Sequence, residues 1–354
     1  MVENSSHSSA LRIIDASFNR AMEGLRVAEE YARMHLDDAH LSKLVKQLRH
    51  DLASKIGDVF GSGLLSHRDI LNDVGTTNQT SSEYERTDML QIFRANIART
   101  LQSLRSMEEY SKLTRPAVGE SLEKIRYGVY AIEKAVANTA HSKNALADAQ
   151  LYVLTSACEN LDELAALTRQ LVAAKVDLIQ LRDKNLDDGQ LVAAGKLLTQ
   201  LTQGSDTRWI MNDRADLAVI SGAHGVHVGQ TDLTLAQARR IVGGDKLIGL
   251  STHNFEQANQ AVMAGANYIG MGPAFASQTK SFDKFAEQQF IADVAQKIAL
   301  PAFAIGGIND QNLSQLFDLG VKRIALSNSI VAATDPQTAA SHFKNRLQTE
   351  ASLA

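Results

Sequence analysis

The sequence predicts an α/β protein in which a (β/α)8 TIM barrel follows an all-α domain that carries an internal repeat. Three observations lead there: a helical repeat confined to the first part of the chain, a change of pattern near residues 141–150, and eight short β-rich runs beyond it. The expected division is a helical domain over residues 1–145 and a barrel over 146–354.

At 354 residues the chain exceeds the usual single-domain range and can bury more than one core. Hydrophobic residues at 44%, charged residues at 21% and four prolines describe a globular protein. A formal net charge of -4 argues against a nucleic-acid partner or an acidic membrane surface. The polar start lacks a basic segment leading into an apolar one, and no run approaches the ~18 apolar residues of a membrane span. A cytoplasmic chain is the expectation. The single cysteine, Cys158, excludes an intrachain disulfide and a cysteine zinc site, and reads as a small buried hydrophobe.

The first domain holds the repeat. Ala16 to Tyr31, with Arg20, Leu25, Arg26, Glu29 and Glu30, returns 79 residues later as Ala95 to Tyr110, with Arg99, Leu104, Arg105, Glu108 and Glu109. Both copies read as helices, and Phe18, Met22, Leu25, Ala28 and Ala32, matched by Ile97, Leu101, Leu104, Met107 and Ser111, mark the expected buried stripe. Two related helices followed by more helical sequence predict a pseudo-symmetric bundle. Arg26 and Glu30 pair at i, i+4 on an expected solvated face, although the repeated Arg and Glu could also line a site.

The second domain offers eight strands: Leu151 to Leu154, Val176 to Leu181, Arg208 to Met211, Gly225 to Val228, Leu247 to Leu250, Tyr268 to Met271, Ala302 to Ile305 and Arg323 to Leu326. Each gap has room for a helix, so the units close naturally into a barrel whose site lies at the C-terminal strand ends. A doubly wound open sheet is the competing architecture. Thr234 to Gln237 predicts a capping box, and Asn309 a helix cap.

The chemistry gathers at the strand ends. Gln180, Arg182 and Lys184 alternate, so in a barrel they share the inner rim. Asn212-Asp213 closes the third strand and Asp232 follows the fourth, nineteen positions on. Two carboxylates without Cys or His beside them suit Mg²⁺, which takes one or two carboxylates plus substrate phosphate oxygens; helix capping or a salt bridge to Arg182 or Arg214 would also satisfy them. Ser251 and Thr252 end the fifth strand. The loop Gly272 to Lys280, with Ser277 and Thr279, offers donors to phosphate. Gly306-Gly307 after the seventh strand and Ser327-Asn328-Ser329 after the eighth stand where barrels often hold a phosphate. Such a rim suits displacement of diphosphate from one substrate by a phosphorylated second.

In this order, Gln180-Leu-Arg-Asp-Lys184, Asn212-Asp213, Gly225-Val-His-Val-Gly-Gln-Thr-Asp232, Gly249-Leu-Ser251, Gly272-Pro to Thr279-Lys280 and Ile305-Gly-Gly-Ile308 resemble the thiamine-phosphate synthases over residues 151–345. The resemblance implies joining of a hydroxymethylpyrimidine diphosphate to a thiazole phosphate, with loss of pyrophosphate, through a pyrimidine carbocation. It implies Mg²⁺ on Asp213 and Asp232. Arg182, Lys184 and Lys280 would neutralise the leaving group, while Gln180, Asn212 and Ser251 would orient the pyrimidine or its diphosphate. Ser277, Thr279 and the backbone at Gly307, Ser327 and Asn328 would hold the thiazole phosphate. Three departures stand out: His224 where the family commonly has Asp, Ser277 for Thr, and Asn328-Ser329 for Ser-Ala. His224 reads as structural.

Residues 10–140 resemble an all-helical domain fused ahead of such synthases and associated with hydroxymethylpyrimidine-phosphate kinase activity. Glu23-Gly-Leu-Arg26, Leu48-Arg49-His50, Arg68-Asp69 with Asp73-Val-Gly75, and Arg99 with Arg105 carry that likeness. Asp69 and Asp73 could hold Mg²⁺ with ATP, and Arg20, Arg26, Arg68 or Arg99 a phosphate. No common glycine-rich nucleotide loop is visible. The alternatives are a non-catalytic dimerising module, compatible with a homo-oligomer, and, for the barrel, a thiazole tautomerase type or a phosphate sensor.

Overall fold

The computed structural model describes residues 2–69, 85–275 and 288–353. Two compact units divide at Ala140 and His141. The first contains α1 (Val2–Glu30), α2 (Ala39–Phe60) and α3 (Met89–Ser111), and most of α4 (Gly119–Ala145). A π-turn over Tyr31–His35 ends α1, and the side chains of Asp38 and Asp88 cap α2 and α3 by accepting from Leu41 and Gln91 N–H.

Both repeats are helical, and α1 packs along α3. The buried stripe is turned slightly from its expected position. Ile14, Ala21, Leu25 and Ala28 are buried on α1 and Ala32 in the π-turn after it, whereas Phe18 and Met22 are partly exposed; on α3, Phe93, Ile97, Leu104 and Met107 are buried and Leu101 is partly exposed. The reason is the small residues between the helices. A Cβ on Gly24 would strike Thr100 Oγ1 and approach Asn96 O to 2.7 Å, so the backbones meet on that face.

The repeated acids also divide. Arg26 pairs with Glu30 at 3.0 Å on the surface, as expected. Glu29 and its counterpart Glu108 are instead buried, and each is met from the following helix, Glu29 by Arg49 at 3.0 Å and Glu108 by Arg126 at 2.9 Å. A buried carboxylate is tolerated when a cation and hydrogen bonds replace its water. The repeat is therefore a helix pair with its own internal ion pair, used twice.

The second unit is a closed barrel of eight parallel strands in sequence order: β1 (Leu151–Thr155), β2 (Leu178–Leu181), β3 (Arg208–Asn212), β4 (Gly225–Val228), β5 (Leu247–Thr252), β6 (Tyr268–Met271), β7 (Ala302–Ile305) and β8 (Ile324–Leu326). The open sheet is excluded by β1 pairing with both β2 and β8. Around it lie α5 (Leu161–Ala173), α6 (Asp188–Thr202), α7 (Ala215–Ser221), α8 (Leu235–Val242), α9 (Phe255–Ala264), α10 (Gln288–Lys297), α11 (Leu313–Asp318), α12 (Asn328–Val331) and α13 (Pro336–Leu353). Thr234 and Gln237 form the expected capping box on α8. Asn309 caps a turn instead: its side chain accepts from Gln311 and Asn312 N–H, and α11 begins only at Leu313. Cys158 is half-buried in the loop after β1, at φ +60°, so it is not the buried hydrophobe expected.

The interior shows why this sequence closes. Alternate residues Tyr152, Leu178, Ile210, Leu247, Tyr268, Phe303 and Ala325 fill the lower lumen. Tyr152, Tyr268 and Phe303 meet edge-to-face, with centroids 5.5 to 5.8 Å apart. Rings of this size fit because β5 supplies Gly249, where a Cβ would lie 2.1 Å from Tyr268 Cζ and 2.5 Å from His227 Nδ1. Gly249→Ala is expected to overpack the lumen and destabilise the barrel by about 1–3 kcal/mol. Urea unfolding followed by Trp209 fluorescence measures this, and an unchanged midpoint would contradict the packing account.

Candidate active site

The C-terminal ends of β2 to β5 bring four loops to one rim. Gln180 lies in the lumen, 2% exposed, while β2 stops at Leu181. Arg182 prolongs the ladder by donating its N–H to Thr155 O at 2.8 Å, so the alternation from Gln180 carries on past the strand. The turn that follows is built by Asp183, whose carboxylate accepts from Ala157 N–H at 3.2 Å and Asn185 N–H at 2.9 Å. Asp183 thus works on backbone rather than on Arg182 or Lys184.

At β3 the chain turns sharply. Arg214 N–H donates to Asn212 O at 2.7 Å around Asp213, which stands at φ +58°. That region is costly for most side chains and tolerated by Asp, and such strain concentrates at functional sites. Asp213 N–H is anchored to His227 O on β4 at 2.8 Å. The loop beyond β4 is folded by Asp232, whose carboxylate accepts from Gly229 N–H at 2.7 Å.

The two carboxylates come together. Asp213 is raised above the ordinary carboxylate range, first by burial and then by Asp232, which acts on it both as a hydrogen-bond partner and as a like charge; Lys184 and Asn212 oppose the rise. Arg214 does not relieve the pair, because it is forked onto Asp188 and Asp216 on the neighbouring helices. Two acidic side chains held against each other beside one ammonium invite a cation. Among the described residues no group of three or more His, Cys, Asp or Glu could hold a metal, so an ion on Asp213 and Asp232 would need oxygens from elsewhere, such as those of a phosphate.

Beneath the rim runs a buried polar chain absent from the sequence-based expectation. Gln180 Nε2 donates to Tyr152 Oη at 2.6 Å, Tyr152 and Tyr268 hydroxyls are 3.0 Å apart, Tyr268 Oη lies 3.2 Å from His227 Nδ1, and His227 Nε2 lies 2.9 Å from Ser251 Oγ. Burial pushes both tyrosine hydroxyls up and His227 down to about 4, so the ring is neutral near pH 7. The sequence signal was a histidine at an inward position of an otherwise apolar strand, flanked on the next two strands by the inward glycines Gly249 and Gly270. His224, in contrast, accepts the Trp209 N–H at 3.1 Å ahead of β4 and is structural.

Opposite, Gly306 and Gly307 stand at φ +102° and +63°. A Cβ on Gly306 would lie 2.8 Å from Pro273 Cα, so the loop after β6 crosses that turn closely. Asn312 Nδ2 donates to Gly307 O at 2.9 Å, and Ser329 Oγ to Ile308 O at 2.7 Å, fixing the turns after β7 and β8 to each other's surroundings. Ser327 and Asn328 open α12 at the same rim. Ser277, Thr279 and Lys280 lie outside the described residues, as do Asp73 and Gly75. In the helical unit, Arg68 is already committed to Asp15 through two bonds of 2.7 Å, and Arg12 donates to Asp69 O at 2.8 Å.

Comparison with known proteins follows this division. Residues 151–330 match the family described as thiamine monophosphate synthase, and residues 12–135 match the ThiD2 family. The thiamine-phosphate synthase of Rhodopirellula baltica is 43% identical over 336 residues, covering 92% of this chain and 90% of the relative. That of Synechocystis is 37% identical and covers 98% of both chains. Among solved structures, a thiamine phosphate pyrophosphorylase from Pyrococcus furiosus superposes with a TM-score of 0.51 at 26% identity, covering 57% of this chain and 96% of its own. No helix among the described residues is long and apolar enough to cross a membrane.

Proposed function

Because the chain belongs to the thiamine-phosphate synthase family, we propose that its barrel joins hydroxymethylpyrimidine diphosphate to thiazole phosphate, releasing pyrophosphate and forming thiamine phosphate. The observation that carries this reading is the apposition of Asp213 and Asp232 beside Lys184, at the C-terminal ends of the strands that also carry Gln180 and Ser251. A tautomerase or a phosphate sensor has no use for two facing carboxylates.

Asp213 and Asp232 are the residues that would hold Mg²⁺, and the ion when bound would supply Lewis-acid stabilisation of the leaving diphosphate. Arg182, Lys184 and Lys280 would offset the charge that grows on that group as its bond to the pyrimidine methylene breaks. Gln180, Asn212 and Ser251 would orient the pyrimidine so that its methylene faces the thiazole nitrogen. Ser277, Thr279 and the backbone at Gly307, Ser327 and Asn328 would hold the thiazole phosphate. Gly307, at φ +63°, supports that placement, since its N–H carries no side chain of its own to keep a ligand away, whereas Gly306 is closed against Pro273.

For the helical unit, roughly residues 1–145, the proposal is a kinase that uses ATP and Mg²⁺ to convert the pyrimidine monophosphate to the diphosphate consumed by the barrel. Its support is the match to the ThiD2 family and the chemical succession of the two steps. Arg68 and Asp69 are structural partners of Asp15 and Arg12, so Arg20 and Arg99, both exposed, are better phosphate ligands than Arg68. A cytoplasmic site of action fits two soluble phosphorylated substrates.

Asp232→Ala in the full chain is expected to reduce thiamine phosphate formation from the two phosphorylated substrates by at least about a hundredfold with the fold retained, and undiminished turnover would remove the metal assignment. The same variant isolates the first step. Given ATP, Mg²⁺ and the pyrimidine monophosphate, it should release ADP and accumulate pyrimidine diphosphate; a folded protein that forms no ADP at any Mg²⁺ concentration would leave the helical unit as a structural module.

A further inference from the structure

The sequence repeat of the helical unit is matched by a symmetry in its packing. Gly24 of α1 meets Asn96 and Thr100 of α3, and Tyr31 meets Phe93 with ring centroids 5.1 Å apart, so the two helices run antiparallel. The 79-residue offset of the repeat carries Gly24 and Thr100 onto Ser103 and Ala21, and both of these are buried too. A pseudo-twofold axis therefore crosses the helix pair near Met22–Glu23 and Leu101–Gln102, perpendicular to both helices. On one side of the pair lie α2 and α4: Arg49 reaches Glu29, Arg126 reaches Glu108, and a Cβ on Gly128 would stand 2.9 Å from Leu48 Cδ2. Arg20 and Arg99 occupy the other side. Arg20 precedes Glu29, and Arg99 precedes Glu108, by about two and a half helical turns, so each arginine projects from the face opposite its buried glutamate. Both are exposed.

We propose that Arg20 and Arg99 form one anion site on this axis, to which both copies of the repeat contribute, and that it takes the phosphate chain of ATP. The proposal deepens the kinase reading and rests on it for the identity of the nucleotide. About five residues separate the two arginines along the helices, roughly 7–8 Å, so both guanidiniums can reach one polyphosphate chain lying across the axis. The charges favour it. Arg12, Arg26, Arg49, Arg68, Arg105 and Arg126 each stand within ion-pair distance of Asp or Glu, whereas Arg20 and Arg99 have no such partner among the described residues. Nearest the axis, Glu23 of the first copy is replaced in the second by Gln102, which removes a carboxylate that would have offset the pair. Two cations against one carboxylate leave this face positive, and a phosphate chain supplies the missing negative charge.

The test is equilibrium dialysis of radiolabelled ATP with Mg²⁺ against the full chain carrying Asp213→Asn and Asp232→Asn, so that the barrel carboxylates take up no metal–nucleotide. One ATP should bind per chain. Arg20→Gln and Arg99→Gln, added singly, should each weaken that one site by about tenfold or more, whereas Arg33→Gln, which removes another exposed arginine without a carboxylate partner among the described residues, should leave it unchanged. Two ATP per chain, with each variant removing one, would overturn the proposal in favour of a separate site on each copy. ATP binding that ignores both variants, or no binding at millimolar ATP, would also overturn it. So would loss of the helical circular-dichroism signal in either variant, because it would make that arginine a structural contact. If binding behaves as expected but the unmodified protein forms no ADP from the pyrimidine monophosphate, the kinase reading fails and the phosphate site stands.

Discussion

The placement of Asp213 against Asp232 is the constraint around which the barrel rim is organised. Left alone, two neighbouring carboxylates repel, and burial of Asp213 adds to the cost. The backbone compounds it by holding Asp213 at φ +58° in a three-residue turn. A fold maintains such an arrangement when surrounding contacts over-determine it, and here they do: Asp213 N–H is tied to β4, Asp232 is tied to Gly229 N–H, and Arg214 is drawn off to Asp188 and Asp216. The first two ties hold the carboxylates in place, and the third draws away a guanidinium that could otherwise have neutralised them. In the proposed function, a cation and its phosphate ligand would complete this negative pair, which Lys184 offsets only in part.

Closure of the barrel supplies the other half. Parallel strands in sequence order bring β2, β3, β4 and β5 side by side, so Gln180, Asn212, His227 and Ser251 fall on neighbouring inward positions. The lower lumen is packed with Tyr152, Tyr268 and Phe303, and this aromatic floor does more than fill space. Its two hydroxyls join the polar groups above into one hydrogen-bonded line, which is possible because Gly249 and Gly270 leave room for the His227 ring. Stability of the floor and order at the site are thereby the same set of contacts.

Much of this was legible in the sequence. Eight β-rich runs gave the strands, with ends within about two residues of those observed, because each run is short, apolar and followed by turn residues. Asp213 and Asp232 could be paired from spacing alone, since one βα crossover separates adjacent strand ends. The helical stripe was read a fraction of a turn off, because Phe18 and Met22 look like core while the true contact runs over Gly24 and Thr100; small residues carry no hydrophobic signal. The Tyr152–Tyr268–His227 line was invisible for a different reason. Its members lie far apart in the chain and meet only when the barrel closes. Likewise, nothing local distinguishes the buried Glu29 and Glu108 from their exposed neighbours until Arg49 and Arg126 arrive from the next helices.

The most direct test of the central claim, that the rim is a two-carboxylate metal–diphosphate site, is Mn²⁺ binding followed by electron paramagnetic resonance with pyrophosphate present. The account predicts that the protein with pyrophosphate immobilises more Mn²⁺ than either gives alone, and that the double variant Asp213→Asn, Asp232→Asn loses this excess. Equal Mn²⁺ retention by the double variant would contradict it.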